Sequence, residues 1–552
     1  MKKKIVVAIV LVTVALLAVY AAKTAEDDKK CDIKEFTAFF DVPGVEKDEN
    51  NEIMQLIAQK TGARCREQWL AGKSSEEAIA SFIASGEYTD FISGNVTLYE
   101  AGALIAIDLY WDNYPNIKNF MPPEQWDRFR QSDGHIYWIP QFGVVQGESA
   151  EVVHEGEAFW IQTRVLKWAG YPVIETIDEY FSLLESYAAA NPVMENPYHP
   201  GEMMQNIPFT VLCDDWRYFC LENPPQFLDG YPNDGSCMVD TDTKTVLDYN
   251  TSETARRYFE KLNEEYHKGI VDQEFFTQSY EEYLQKLASG RVLGMVDQWW
   301  QFAYSTNASL GNMAEQGCGY VPLPITMDKG TKNQWHVKRG TELSVADGIS
   351  ITISCEDVEG AMKFINDLLD EEILKLRYWG MEQVDYKVHE NGTYYRTTEQ
   401  RKKAQDLEYG ASHYCIYPYF PRIEGMLSDG INAFSPEYQP EEFFEALAPD
   451  VKECLEAYGC KCYVDMLGTN DEPGPWYPMY SYSDMLTLDS EAGRVWNKMG
   501  SVKKDYLPRV VMADNFNEMW QQYMQQYEAC QPEIFFAEMQ SELERRVKAA
   551  AH

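Results

Sequence analysis

Basic charge is scarce in this chain of 552 residues: 48 Lys and Arg stand against 88 Asp and Glu, a formal net charge of −40. Such a surface repels phosphate backbones and anionic lipid, which argues against nucleic acid as a partner. Histidine is rare too, with eight residues and no His-Glu-x-x-His. The twelve cysteines include no pair of Cys-x-x-Cys knuckles, so zinc spacing is missing. Cys460-Lys461-Cys462 is too isolated to read as a metal site. A Gly-x-Ser-x-Gly elbow, a P-loop and a Gly-x-Gly-x-x-Gly fingerprint are all lacking. Asp240-Thr241-Asp242 lacks the glycine and closing glutamate of a calcium loop and reads as a hairpin edge. No catalytic residue, metal or cofactor is therefore assigned. Among 88 carboxylates, a glycosidase-like acid pair has no weight without geometry.

Long apolar runs are equally few. Met1-Lys2-Lys3-Lys4 precedes the single one, Ile5 to Ala22, which reads as a secretory n-region and h-region. Its length also approaches a bilayer span, so residues 1–22 are a signal peptide or an N-terminal anchor, and the remainder is exported. Mean hydropathy is −0.43, in keeping with a soluble exported part. Cysteines in an exported chain read first as disulfides, and Cys31 with Cys65, each at the start of an expected strand, form a geometrically possible pair.

What is present is a β-α-β-α-β order. Asp32 to Phe40 alternates as a strand, and Asn51 to Lys60 has helical spacing with Gly62 as its cap. A second strand starts near Ala63; a helix over Ile79 to Ser85 and a short strand near Phe91 follow. Ile136 to Pro140 reads as a strand. Thr176 to Ala190 reads as a helix opened by a capping box, and Ser354 as the cap of the helix that carries Val358 and Met362. One final helix is expected over Asn515 to Lys548. An α/β lobe with a largely parallel sheet binds ligand at the carboxyl ends of its strands, which points to Asp41 and to Ser93-Gly94-Asn95.

Val292 to Asp297 leads into Trp299 and Trp300. On a strand, neighbouring side chains face opposite ways, so one indole is offered to a cleft, where a flat ring with one N–H donor suits the C–H face of a sugar.

The landmarks resemble those of the extracellular solute-binding proteins of ABC sugar importers, in their larger lipoprotein-like branch. They are Thr61-Gly62, Ala84-Ser85-Gly86 with Asp90, Asp133-Gly134-His135-Ile136-Tyr137 with Pro140, Leu166 to Tyr171 with Pro172, Tyr266 to Asp272, Ala288-Ser289-Gly290, and Gly380 to Tyr386. The resemblance implies an α/β, type II periplasmic-binding-protein-like clamshell of two interleaved lobes joined by a hinge. Lobe 1 would be 31–142 with 322–376, and lobe 2 143–321 with 377–552. It also implies a monomer that grips an oligosaccharide and hands it to the permease subunits of an ABC transporter, without hydrolysing anything. Expected ligand contacts are Asp41, Asp90, Trp138, Trp216, Trp299, Trp300, Glu382 and Trp476. Two departures stand out: Cys31 is too far beyond the apolar run to be a lipid-anchoring cysteine, and Gln162-Thr163-Arg164 replaces the family's frequent Arg-Lys-Asp. A secreted glycoside hydrolase or lyase, or a surface carbohydrate sensor, would be served by the same aromatics.

Overall fold

The computed structural model describes residues 33–147, 151–338, 343–468 and 473–550. The apolar segment and Cys31, and with them the pairing to Cys65, lie outside this range. Within it the chain opens with β1 (Lys34–Phe40), α1 (Glu52–Thr61), β2 (Ala63–Trp69), α2 (Ser75–Ser85) and β3 (Phe91–Asn95). It continues through β4 (Glu157–Gln162), α3 (Ile177–Ala190), β5 (Ile207–Val211), α4 (Glu253–His267), α5 (Tyr280–Ala288), β6 (Val292–Gln298), α6 (Trp299–Asn312) and β7 (Tyr320–Leu323). β8 (Asp347–Ile351) and α7 (Val358–Leu368) follow, and α8 (Glu491–Met512), α9 (Phe516–Glu528) and α10 (Pro532–Ala550) end the chain.

Local chemistry fixes several boundaries. The Asn51 side chain accepts the Met54 N–H and Gly62 adopts the left-handed cap, so α1 begins and ends where its sequence asks. Ser74 and Glu77 form a reciprocal capping box on α2. Thr176 caps α3, but Glu179 reaches past it to the Glu175 N–H, so no reciprocal box closes there. Asp357, not Ser354, caps α7, while Ser354 Oγ accepts the Tyr88 N–H instead. The expected final helix is two: Gln531, at φ 62°, and Pro532 break it, because a proline cannot continue the ladder behind it. Ile136 to Pro140 supplies one bridge, Ile139 to Ile349, rather than a strand.

Two four-stranded sheets carry two cores. The first runs β8-β3-β1-β2, parallel except for β8 at one edge. Phe36, Ala38 and Phe40 face Phe364 and Phe420 on one side of it; Phe39 meets Phe82 of α2 on the other. Burial on both faces is what a parallel sheet requires. The second sheet runs β7-β4-β6-β5, with β6 parallel to β5 and antiparallel to β4. Tyr180 of α3 crosses Gly294 to bond the Trp160 carbonyl at 2.8 Å; a Cβ at 294 would sit 2.2 Å from its hydroxyl. α8, α9 and α10 bury Met499, Leu507, Tyr523, Phe535 and Met539 against this core.

The segments belonging to each core differ from the expected boundaries at 322 and 377. β7 is hydrogen-bonded to β4, so Leu323, Ile325 and Trp335 belong with the second core. Cys415, Tyr417 and Phe420 return to the first. The chain thus crosses between cores several times. Two of the crossings, Val145–Gln146 and Glu424–Gly425, lie side by side as a short parallel ladder.

Candidate ligand-binding site

Parallel strands deliver their following loops to one edge, and both sheets do so toward each other. From the first, β1 ends at Asp41, whose Oδ2 accepts the Ser75 hydroxyl at 2.6 Å. From the second, β5 leads into Asp214-Asp215-Trp216-Arg217 and β6 into Trp299-Trp300. The two meet directly: the Ser75 N–H, at the start of α2, donates to Asp215 Oδ2 at 3.3 Å. Beside this contact a groove of about 510 Å³ runs between Ser74 and Glu76 on one wall and Asp214, Asp215 and Thr277 on the other.

An aromatic row adjoins this groove, on the loops that follow β5 and β6. Trp216 and Trp300 stack at 6.0 Å with planes 16° apart, and Trp216 continues onto Phe219 at 5.9 Å. Trp216 is 38% exposed and Trp300 half-buried, its indole N–H held by Gln298 Oε1 at 2.5 Å. Arg217 lies under Trp216, its guanidinium also against Tyr280. Asp214 fixes this arrangement by accepting the Tyr280 N–H at 2.9 Å.

Acidic groups of both lobes meet near this edge, Asp41 and Asp347 from the first and Asp484, between Tyr482 and Leu486, from the second. Asp347 opens β8 opposite Asn95, at the carboxyl end of β3. Asp347 and Asp484 reach solvent yet are walled by protein, and this desolvation, then a facing carboxylate, raises them to about 6 and about 7. Asp41 acts on Asp347, and Asp347 on Asp484 across the two walls. Tyr419, packed on Phe40 and Trp69, is pushed up to about 12 by burial first and the Asp41 charge second. An edge of stacked rings opposite carboxylate acceptors can hold a ligand with an apolar face and a hydroxylated rim.

Solved structures of known proteins share this fold. The alginate-binding protein AlgQ2 matches over 93% of this chain and 98% of its own, at TM-score 0.61 and 16% identity. The S. pneumoniae ABC-transporter substrate-binding protein FusA, in complex with kestose, matches over 93% and 99% at TM-score 0.62 and 17% identity. The N-glycan transport solute-binding protein NgtS of Streptococcus pneumoniae, with Man5GlcNAc, matches over 94% and 99% at 0.53 and 13%. The fold is that of the solute-binding proteins. The sequence itself matches no protein-family model and no curated protein.

In this clamshell fold the expected contacts separate. Asp41, Trp216 and Trp300 come together at the interlobe edge. Trp299 does not join them: β6 ends at Gln298 and both tryptophans open α6, so Trp299 turns inward onto Trp160 and Tyr463. The helix thus still splits the two indoles, about 100° apart rather than on opposite strand faces. Trp138 is fully buried in the first core, its N–H on the Val345 carbonyl at 3.0 Å. Asp90 stands before β3, at the end of the sheet away from the edge, and accepts both the N–H and the hydroxyl of Thr37 at 2.8 Å. Trp476 is buried in a C-terminal loop beneath the Lys244 ammonium, 4.5 Å from its ring. Glu382 lies on an exposed turn, bonded to its neighbour Gln383.

Ser75, Asp215, Arg217, Tyr280, Asp347, Tyr419 and Asp484 complete the edge and were not among the expected contacts. Arg217 alone carried a usable signal, as a rare cation inside an acidic aromatic loop. No group of three His, Cys, Asp or Glu among the described residues could hold a metal. No described helix is long and apolar enough to cross a membrane.

Proposed function

We propose that this protein is the substrate-binding component of an ABC importer, capturing a carbohydrate outside the membrane and delivering it to permease subunits. The observation that carries this reading is the accessible Trp216–Trp300 stack beside the Asp215–Ser75 contact between the two lobes, where Ser75 also bonds Asp41. Aromatic faces take the C–H face of a pyranose, and carboxylates and hydroxyls take its rim. The names of the similar structures, which bind alginate, kestose and an N-glycan, support the same ligand class. Lobe 1 comprises 33–144, 343–373 and 415–420; lobe 2 is built on the second sheet with the C-terminal helices. Asp41, Trp216 and Trp300 are its ligand contacts, while Trp299 belongs to the core behind β4.

The test is calorimetric titration with an oligosaccharide panel, followed by analysis of the recovered sugar. Saturable binding with the sugar unchanged supports the binding role; new reducing ends would make the cleft an enzyme's. Uptake of the bound sugar by vesicles carrying the cognate permease distinguishes an importer from a sensor.

A further inference from the structure

Arg217 is 4% exposed, and its Nε, sealed from solvent, has no hydrogen-bond partner among the described residues. Its guanidinium lies 4.5 Å from the Trp216 ring centroid and 4.1 Å from that of Tyr280. The rings fix the plane of the fork without answering the sealed Nε–H, and a buried donor left without a hydrogen bond is costly. Such a cost persists in a fold when something absent from the free protein removes it. The location names what that is. Asp215, two residues earlier, bonds the opposite lobe, and Trp300 continues the stack that Trp216 begins. The Arg217 charge is also felt at Tyr419, beside Asp41.

The charges around the fork decide the ligand class. Asp214 and Asp215 adjoin it in sequence, Asp297 lies within reach of its charge, Asp41 acts together with it on Tyr419, and Asp347 and Asp484 follow from Asp41 in turn. A uronate would meet Arg217 and Lys504, which lines the groove, against a larger number of carboxylates. A neutral sugar meets no repulsion: its hydroxyl oxygens accept from the guanidinium while its hydroxyl protons go to the aspartates. We propose that Arg217 is a specificity-determining residue that donates to adjacent hydroxyl oxygens of a neutral sugar lying against Trp216 and Trp300, and that the surrounding aspartates reject uronate sugars. The proposal rests on the carbohydrate-binding role above and adds to it the residue and the class of sugar.

The experiment titrates the wild type, Arg217→Met and Arg217→Lys with kestose, maltotriose, mannotriose and Man5GlcNAc, and with trimers of alginate and galacturonate, alongside thermal melts. Expected are binding of a neutral member, no binding of either uronate trimer, and a loss of at least tenfold in affinity in Arg217→Met. Arg217→Lys, which keeps the charge but loses the planar fork, should fall between them. The Arg217→Met melting temperature should stay level or rise, because a sealed Nε–H without a partner has been removed; a structural arginine would lower it. A neutral sugar that binds wild type and both variants equally overturns the role of Arg217 while leaving the carbohydrate reading standing. A uronate trimer bound as tightly as the neutral sugars overturns the exclusion. If no sugar of either class binds the folded wild type, the carbohydrate reading falls and the inference falls with it. Should Arg217→Met fail to fold, Arg217→Lys carries the affinity comparison.

Discussion

The two walls of the cleft are built from equivalent places, the loops after parallel strands, yet they carry opposite chemistry. Lobe 1 presents acceptors: Asp41 with its Ser75 partner, and Asp347 at the sheet edge. Lobe 2 presents flat rings and a donor, Trp216, Trp300 and Arg217. Identical edges of two α/β sheets thus supply the position of a site, while the loop residues supply its selectivity. A sugar has an apolar face and a polar rim, and the asymmetry of the walls suits the asymmetry of the proposed ligand.

The comparison breaks most visibly if the rings of lobe 2 are removed. Trp216→Ala with Trp300→Ala should weaken sugar binding by roughly 30-fold or more, from about 1 kcal/mol per stacked ring, with little change in melting temperature, since both rings are partly exposed. Trp138→Ala should do the reverse, costing about 3–5 kcal/mol of stability, because its indole fills the first core. Calorimetry beside denaturant melts reads both, and equal behaviour of the two variants would erase the distinction between cleft and core.

Next in size is the acceptor wall. Asp41→Asn should cost about tenfold in affinity, by losing a charge-assisted acceptor worth about 1.5–3 kcal/mol. Asp90→Asn, whose carboxylate serves Thr37 inside lobe 1, should leave affinity intact and lower stability. Affinity lost in Asp90→Asn with Asp41→Asn unchanged would reverse the assignment.

A smaller effect is expected from pH. Burial raises Asp297 and Glu67 to about 7, and the cleft raises Asp347 to about 6 and Asp484 to about 7. In the unfolded chain these groups titrate near about 4. Between those values the native state binds more protons, so stability falls as pH rises from about 4 to about 7. His154, lowered to about 3 by burial and then by the His336 charge, has the opposite slope below about 6.5. With four carboxyls against one imidazole, the melting temperature should be higher at pH 5.5 than at pH 8, and Asp297→Asn should narrow the gap. A melting temperature that rises toward pH 8 would contradict the raised values of these carboxyls, the buried Asp297 and Glu67 first.

The smallest change concerns the space between the walls. Saturating sugar should lower the radius of gyration by closing the lobes over the ladder of Val145–Gln146 and Glu424–Gly425. Added salt should ease closure slightly by screening facing acids such as Asp347 and Asp484. Scattering with and without sugar checks both, and an unchanged radius under demonstrated saturation would leave a rigid groove.

The sequence by itself determined what depends on near neighbours. Asn51 and Gly62 bound α1, Ser74 caps α2, and the alternation in Lys34–Phe40 makes a strand, because caps and periodicity act within a few residues. It also determined the α/β order that placed Asp41 at a carboxyl edge, and the surplus of acid. Only the tertiary structure decided which aromatics are free. Trp138 and Trp216 are both loop-flanked indoles in sequence, and one is sealed by Val345, 207 residues away. Asp41 and Asp90 are both turn aspartates, but parallel pairing puts them at opposite ends of one sheet. Asp215 meets Ser75 across 140 residues of chain, and Arg217 loses solvent to Trp216 and Tyr280 without gaining a partner for its Nε. Burial and partnership are properties of the space between two lobes, and no local pattern encodes them.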